Sequence, residues 1–522
     1  MKGSQHVSVL VVGAGPAGLF LAAELQRRGI SCQLIDAASG PLPWDRATVI
    51  HPRSLEVFES LGLVARFLEA GTKQRVIKMY SQGALLGALD LSESGSLYGF
   101  NIGLSEEVTE SILTEYLHAA GGTVLRSSRL VGLTQHDGGV LAEIECDGQR
   151  RNVEADWVVG CDGAHSVARE RSGIALEGHE IAKPWAVFDA TIQGWTEGYE
   201  LNVGYLDSIP LILTALPAAR WRAYLRPSSA ESDVVADATT TLHRYDPALS
   251  FVDVANPTRF HCHSKVANRF RSGRVLLAGD AAHLCSPAQG HGMNGGVQDA
   301  FNLAWKLALV CHGVADASLL DSYEAERRPA AQMVVQSGDA SEEAAALTDP
   351  VQRESRDTTM HWTFTDPGAR HNEAVAEAEL NIDYSTSPIV FGDNNNIINA
   401  GQRLPNTIPV RMPGSNSRRL HELTHRAGHT LVLLGGAEAD ASELAETLGT
   451  LQQSTAGSPM VDAVVAVGAH DSAESLGCKA ITLLAVRPDG YIGMRADRDH
   501  LSALRRYRAL VTGLPPLSLQ HA

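Results

Sequence analysis

Residues 7–38, VSVLVVGAGPAGLFLAAELQRRGISCQLIDAA, leave the chain few ways to fold. An apolar strand runs into Gly13, Gly15 and Gly18, spaced G-x-G-x-x-G, and an amphipathic helix follows to Arg28-Gly29. A second apolar strand closes on Asp36, about 20 residues on, where a carboxylate can accept hydrogen bonds from a ribose. Three glycines alone would be a weak signal. Strand, turn, helix, strand and terminal acid in register point to a dinucleotide held over a helix N-terminus rather than to a ligand-free turn.

A second glycine-rich stretch lies far down the chain, at residues 274–307: RVLLAGDAAHLCSPAQGHGMNGGVQDAFNLAWKL. Val275–Ala278 reads as the end of a buried strand, Asp280 stands where it stops, a loop is expected to reach Gly296, and an apolar-periodic helix is expected beyond it. Glycines 290, 292, 295 and 296 let backbone approach a ligand, and the helix start offers unpaired N–H groups.

Between these stretches, Arg46 lies in a loop soon after the second strand, where it could pair with a pyrophosphate or remain a surface charge. Residues 73–103 read as short strands, an excursion from the nucleotide-binding part. Glu106 and Glu110 lie four apart on a helix at 105–120 and share a face; a structural role is expected for Glu110. Asp137-Gly138-Gly139 and Asp147-Gly148 mark consecutive hairpins, and the last strand delivers Asp162-Gly163 followed by Ser166 and Arg169. Residues 175–271 read as an antiparallel sheet able to roof a pocket with Trp185, Phe188, Tyr205, Trp221 and Tyr224, most of them core. An Asn-rich stretch near 395 marks a boundary, and beyond it strands and helices form an α/β unit of roughly 120 residues.

At 522 residues two or three full cores are expected. A formal charge of -17 with no long basic block speaks against nucleic acid as a partner. Seven scattered cysteines without C-x-x-C suggest neither a disulfide framework nor a zinc knuckle, and a cytoplasmic location fits. His261, Cys262 and His263 alternate across a strand with no second ligand pair nearby, so no metal site is expected. The apolar run at 7–25 is interrupted by G-A-G-P-A-G, and no membrane segment is expected.

Three motifs, G-A-G-P-A-G with Asp36, D-G-A-H-S-V-A-R at 162–169, and G-D-A-A-H at 279–283 with its glycine loop, together resemble the class A flavin-dependent aromatic hydroxylases, the para-hydroxybenzoate hydroxylase-like family. With GQRLPN at 401–406 and V-R-P-D-G-Y at 486–491, the C-terminal part is similar to that of the phenol 2-monooxygenase and polyketide hydroxylase branch. The resemblance implies an α/β fold: a discontinuous Rossmann-like FAD-binding domain (1–174 and 272–394), an inserted antiparallel-sheet substrate domain (175–271) and a thioredoxin-like C-terminal domain (395–522). Lacking C-x-x-C, the last would serve support or dimer contacts, and a homodimer is a family trait.

The resemblance also implies roles. Gly13, Gly15, Pro16, Ala17 and Gly18 would face the FAD pyrophosphate, with Asp36 on the adenosine ribose. Arg46 would lie against the cofactor. Glu106 falls where the family usually has Gln beside the ribityl chain, and an ionised Glu can accept but not donate there. Asp162 and Gly163 would serve FAD and NAD(P)H together, Asp280 the ribityl hydroxyls, and Pro287, Gly290, Gly292, Met293 and Asn294 the isoalloxazine ring. Arg46 and Pro287 would be the residues nearest the chemistry, and Tyr205 and Tyr224 candidates for substrate contact. The reaction implied is hydroxylation of a small phenolic or polyketide-type aromatic by NAD(P)H and O2 through a flavin C4a-hydroperoxide, with the protein positioning substrate and excluding water. A Baeyer–Villiger or epoxidising oxygenase, a non-catalytic FAD-binding redox sensor and a flavoprotein dehydrogenase share the cofactor motifs. A flavin halogenase is disfavoured, since W-x-W-x-I-P is absent.

Overall fold

The computed structural model describes residues 5–41, 47–393, 397–410, 418–467 and 470–513, which form a mixed α/β fold of two compact units. The first unit spans residues 1–26, 31–300 and 330–380, and the second 27–30, 301–329 and 381–522.

The first unit is built on an eight-stranded sheet. Gln5–Val12 lies at its centre, parallel to Cys32–Ile35 on one side and to Gln149–Gly160 on the other, and Val275–Leu277 extends the parallel set. Val9, Leu10 and Val11 are fully buried, as the near-continuous apolar runs of a parallel sheet require. The hairpins expected at Asp137 and Asp147 are present, with Ser128–His136, Gly139–Cys146 and Gln149–Gly160 antiparallel in sequence. This topology puts the strand ends at Gly13, Asp36, Asp162 and Asp280 along one edge of the sheet.

A second sheet of seven strands draws Trp185–Gln193, Leu201–Tyr205, Leu211–Leu216, Arg220–Leu225 and Ser250–Phe260 from the central part of the chain. Its other two strands, Val76–Ser81 and Ala84–Asp90, come from much earlier, Val76–Ser81 pairing in parallel with Leu201–Tyr205. The short strands read as an excursion of the nucleotide-binding part thus complete the inserted sheet. Short strands with many Gly and no strong alternation say little about which sheet they join, because the pairing partner is 120 or so residues away in sequence.

The helix after the second glycine stretch also differs from expectation: it runs His291–Cys311, so Gly292, Gly295 and Gly296 lie inside it rather than in a preceding loop. Each glycine costs about 1 kcal/mol in a helix, but Gly295 and Gly296 permit close packing. A Cβ at Gly295 would meet the His283 ring at 3.2 Å, and one at Gly296 would meet Ala17 Cβ and Gly279 Cα at 3.3 Å.

The second unit holds a five-stranded mixed sheet in the order Phe391–Gly392, Ile492–Ala496, Ile481–Val486, His429–Gly435 and Val461–Val467. His429, which opens the strand His429–Gly435, is buried, its Nε2 3.0 Å from Tyr507 Oη and its ring edge-on to Trp305. Burial, then the Arg487 charge, holds its imidazole down at about 3. An unfolded histidine protonates near 6.5 while this one stays neutral, so stability is present above that pH and is lost as pH falls through the window down to about 3. Between pH 7.5 and pH 5 the loss should be about 2 kcal/mol. Calorimetry of the wild type and of His429→Gln checks this; equal pH slopes for the two would refute it.

Candidate active site

A cavity of about 870 Å³ runs through the first unit, from the edge of the eight-stranded sheet to the face of the seven-stranded one. Gly13, Gly15, Pro16, Ala17, Asp36, Glu106, Asp162, Gly163, Asp280, Pro287, Gly290, Gly292 and Met293 line it. Sequence neighbours do not explain this gathering; the parallel strand order does.

At the first turn the backbone is pressed tight. Gly13 has φ +101°, and a Cβ on Gly18, just behind the cavity wall, would stand 1.8 Å from Gly13 O. A Cβ on Gly15, by contrast, would project into space with only Glu110 Oε1 at 4.0 Å. The turn therefore offers a bare backbone surface and the N-terminus of helix Pro16–Arg27 to whatever fills the cavity. Asp36 accepts from Ala14 N–H at 2.6 Å and Ala38 N–H at 2.7 Å, with Arg126 Nη1 3.6 Å away. Glu106 opens helix Glu106–Ala119, which Ser105 caps, and Glu110, one turn on, reaches the cavity beside it.

Asp162 accepts from the Ser166 hydroxyl and from Ala168 N–H, and burial raises its carboxyl. Arg169 explains the rest of that motif: its guanidinium donates to Ala164 O at 2.8 Å and Ala281 O at 3.0 Å, tying the turn at 162–164 to the loop that carries Asp280. That loop is anchored from beneath by Asp299, which is fully buried, accepts from Gly279 N–H at 3.0 Å and pairs with His283 at 2.7 Å. Asp299 gave no sequence signal beyond its place in an apolar helix.

The glycine loop is braced on two sides. Asn294 lies behind the cavity wall, receiving His51 N–H at 3.0 Å and donating to Val49 O and Gly290 O. Ser286, just before Pro287, donates to Glu342, which also receives the Trp185 indole N–H at 2.9 Å and pairs with Arg226. Arg46 lies outside the described residues.

Across the cavity stands the seven-stranded sheet. Asn202, Val203, Gly204, Ile212, Thr214 and Tyr224 line it. The Tyr224 hydroxyl is 3.0 Å from Thr48 Oγ1. Tyr205 also borders the cavity, but its ring packs against Tyr80 and Tyr245, and burial pushes its phenol far up, so it is a poor proton acceptor.

One group of buried titratable residues adjoins the glycine loop and was not read from the sequence. His51 Nε2 is 3.1 Å from Gln289 O and its Nδ1 3.2 Å from Asn101 Oδ1, and its ring lies 4.6 Å from that of His291. Burial, then His291, holds His51 down at about 4. His291 Nδ1 is 2.8 Å from Glu379, and this pairing raises the imidazole against the opposing effect of burial. His51, His291 and Glu379 are close enough to suggest a metal site, but their ligand atoms spread over as much as 4.8 Å and are already engaged in these bonds.

A family model described as FAD binding domain matches residues 6–338. The chain is 31% identical to 6-methylpretetramide 4-monooxygenase of Streptomyces rimosus, over 95% of this chain and 92% of that one. It is 29% identical to pentachlorophenol 4-monooxygenase of Sphingobium chlorophenolicum, over 95% of each. Among solved structures, the anhydrotetracycline hydroxylase OxyS from Streptomyces rimosus superposes with a TM-score of 0.78 at 28% identity, covering 98% of this chain and all of that one. The fold is shared as well with an aklavinone-11 hydroxylase solved with FAD and aklavinone, with a TM-score of 0.78 at 24% identity over 98% of this chain and all of that one.

Proposed function

Since this chain belongs to the FAD binding domain family, we propose that it works as its monooxygenase relatives do, binding FAD and hydroxylating an aromatic compound of phenolic or polyketide type. The observation that carries the reading is the single cavity in which two glycine turns with helix N-termini, three strand-end carboxylates and a sheet face meet. Reduced by NAD(P)H, bound FAD supplies the activation of O2 and the transfer of one oxygen atom to the ring.

The chain's own residues hold the parts in place. Gly13, Gly15, Pro16, Ala17 and Gly18 present bare backbone and helix N–H groups to the pyrophosphate, and Asp36 takes the ribose. Glu106 and Asp280 accept hydrogen bonds from the ribityl hydroxyls, and Asp162-Gly163, held by Arg169, closes the cofactor channel. Pro287, Gly290, Gly292 and Met293, braced by Asn294, lie along the isoalloxazine ring, and helix His291–Cys311 aims its N-terminus where reduction builds negative charge. Tyr224 and the backbone at Tyr205 form part of the substrate wall, and the seven-stranded sheet keeps water from the reacting atoms.

In the same reading, residues within 1–174 and 272–300 build the FAD-binding domain, residues 175–271 together with Val76–Ser81 and Ala84–Asp90 the substrate sheet, and residues 395–522 a thioredoxin-like support. The five-stranded mixed sheet with its helices favours the last. Its cysteine, Cys478, is buried and free, which accords with support rather than dithiol exchange. The enzyme works in the cytoplasm as a homodimer. No helix among the described residues is long and apolar enough to cross a membrane.

Purified protein should be yellow, and a panel of phenols and polyphenols should contain compounds that accelerate NAD(P)H and oxygen consumption and gain one oxygen by mass. A colourless protein that takes up no FAD sinks the assignment. Asp280→Ala should lower the flavin-to-protein ratio about tenfold at limiting FAD, the scale of one lost charge-assisted hydrogen bond; unchanged flavin content would remove Asp280 from its role.

A further inference from the structure

One buried carboxylate reaches both walls of the cavity. Glu342, on helix Asp321–Ala346, pairs with Arg226, which follows strand Arg220–Leu225, and both side chains are buried. Such a pair is a poor source of stability in itself, because apolar residues of similar volume often do as well or better. Its Oε1 has a further use that the charge does not require. It accepts the Trp185 indole N–H at 2.9 Å, from the seven-stranded sheet, and the Ser286 hydroxyl, from the head of the turn Pro287–Gln289. Trp185, Ser286 and Pro287 line the cavity, and Glu342 joins them from behind.

Packing fits the turn to the same surroundings. Ala288 lies against the cluster of Trp185, Val187, Tyr224, Phe260 and Cys262. From the helix, Ser337 donates to Gln289 Oε1 at 3.0 Å, and Gly338 lets the helix close on Ser286, where a Cβ would stand 3.4 Å from Ser286 Cβ.

We propose that Glu342 is a positioning residue for oxygen transfer: by holding the Pro287 turn to Trp185, it fixes the distance between the flavin ring and an aromatic lying on the substrate sheet. The inference rests on the monooxygenase reading, with Pro287 beside the ring. In the coupled reaction NAD(P)H supplies two electrons, one atom of O2 enters the aromatic and the other leaves as water. With the turn loose, the same two electrons and two protons leave with both oxygen atoms as hydrogen peroxide. Transfer to the aromatic falls steeply with a displacement of about 1 Å, whereas peroxide release needs no contact with it.

Two double replacements separate the tie from the charge. Glu342→Leu/Arg226→Met removes both, while Glu342→Gln/Arg226→Met removes the charges and keeps an oxygen for Trp185 and Ser286. Neither strands a buried charge, so both should fold and hold FAD. In the FAD-loaded proteins, hydrogen exchange of the segment 286–290 should be at least about tenfold faster in the Leu variant than in the Gln variant or the wild type. With the phenol that the wild type oxygenates best, product per NAD(P)H should fall at least about fivefold in the Leu variant, peroxide making up the difference, and stay within about twofold in the Gln variant. Equal exchange in all three proteins, an equal loss of product in both variants, or faster exchange with no rise in peroxide each overturns the inference. Where the Leu variant yields no folded protein, Trp185→Phe decides, since it drops the indole N–H and leaves the charge pair and the Ser286 bond: wild-type exchange and wild-type peroxide there overturn the inference too. Failure of the monooxygenase reading looks different: exchange follows the expected order, yet no phenol gains oxygen from the wild type.

Discussion

Gly18→Ala protein should emerge from purification without flavin and with a lowered unfolding midpoint. The added Cβ would lie 1.8 Å from Gly13 O, 3.0 Å from Gly13 C and 3.3 Å from Cys161 Cβ. The first two are backbone atoms, and Gly13 cannot retreat, because a Cβ in its own place would already be 2.3 Å from Cys161 O. Helix Pro16–Arg27 must therefore move away from strand Gln5–Val12, which spoils both the packing of Leu19, Phe20 and Ala22 and the position of the helix N-terminus. Overpacking of a tight core costs about 1–3 kcal/mol, and a backbone clash belongs at or beyond the upper end. Loss of bound cofactor removes its own stabilisation as well. Gly15→Ala separates the two effects. Its Cβ meets no protein atom nearer than 4.0 Å, so the fold should stand while FAD binds at least about tenfold more weakly. The flavin-to-protein ratio and thermal midpoint of both variants decide; a yellow, fully stable Gly18→Ala protein would refute the argument.

Glu326→Ala should destabilise the second unit by about 3–5 kcal/mol, the cost of stranding buried charge. Glu326 is fully buried, and its carboxylate receives both Arg487 Nη1 and Nη2 at 2.7 Å, Lys306 Nζ at 2.7 Å, Asn302 Nδ2 at 2.6 Å and the Ser387 hydroxyl at 2.6 Å. Burial opposes its charge, but Arg487 and then Lys306 hold the carboxyl well below its ordinary range. Lys306, also without solvent, is pulled down to about 8 by burial. Asp489 pairs with Arg487 and receives the Trp305 indole N–H at 3.0 Å, so removal of Glu326 leaves it to face both Arg487 and Lys306. Lys306→Met should cost less, because Arg487 keeps Glu326 compensated and a methylene stem still fills the space. Denaturant unfolding followed by tryptophan fluorescence, with Trp305 at the centre of the group, gives both values. A Glu326→Ala loss below about 1 kcal/mol would place the group among ordinary surface pairs.

These two predictions differ in how far the sequence foresaw them. Gly18 was legible at once, because the spacing of Gly13, Gly15 and Gly18 between an apolar strand and an amphipathic helix encodes a local backbone contact. The same holds for the hairpins at Asp137 and Asp147 and for Asp280 at the end of its strand. Glu326, Lys306 and Arg487 lie on helices and a turn, and no local spacing marks them as partners. Only the packing of residues 161 apart in sequence turned them into a buried network.

The candidate site divides along the same line. Its cofactor half announced itself, since turns, helix starts and strand-end acids are set by neighbours in sequence and carry fixed spacing. Its substrate half did not. The strands at 76–90 gave no hint of the sheet they complete. Local chain geometry by itself determined the nucleotide-binding turns, the family and so the cofactor. Tertiary structure alone decided which charges lost their water and which strands became neighbours, because burial and long-range pairing depend on surfaces brought together from distant parts of the chain.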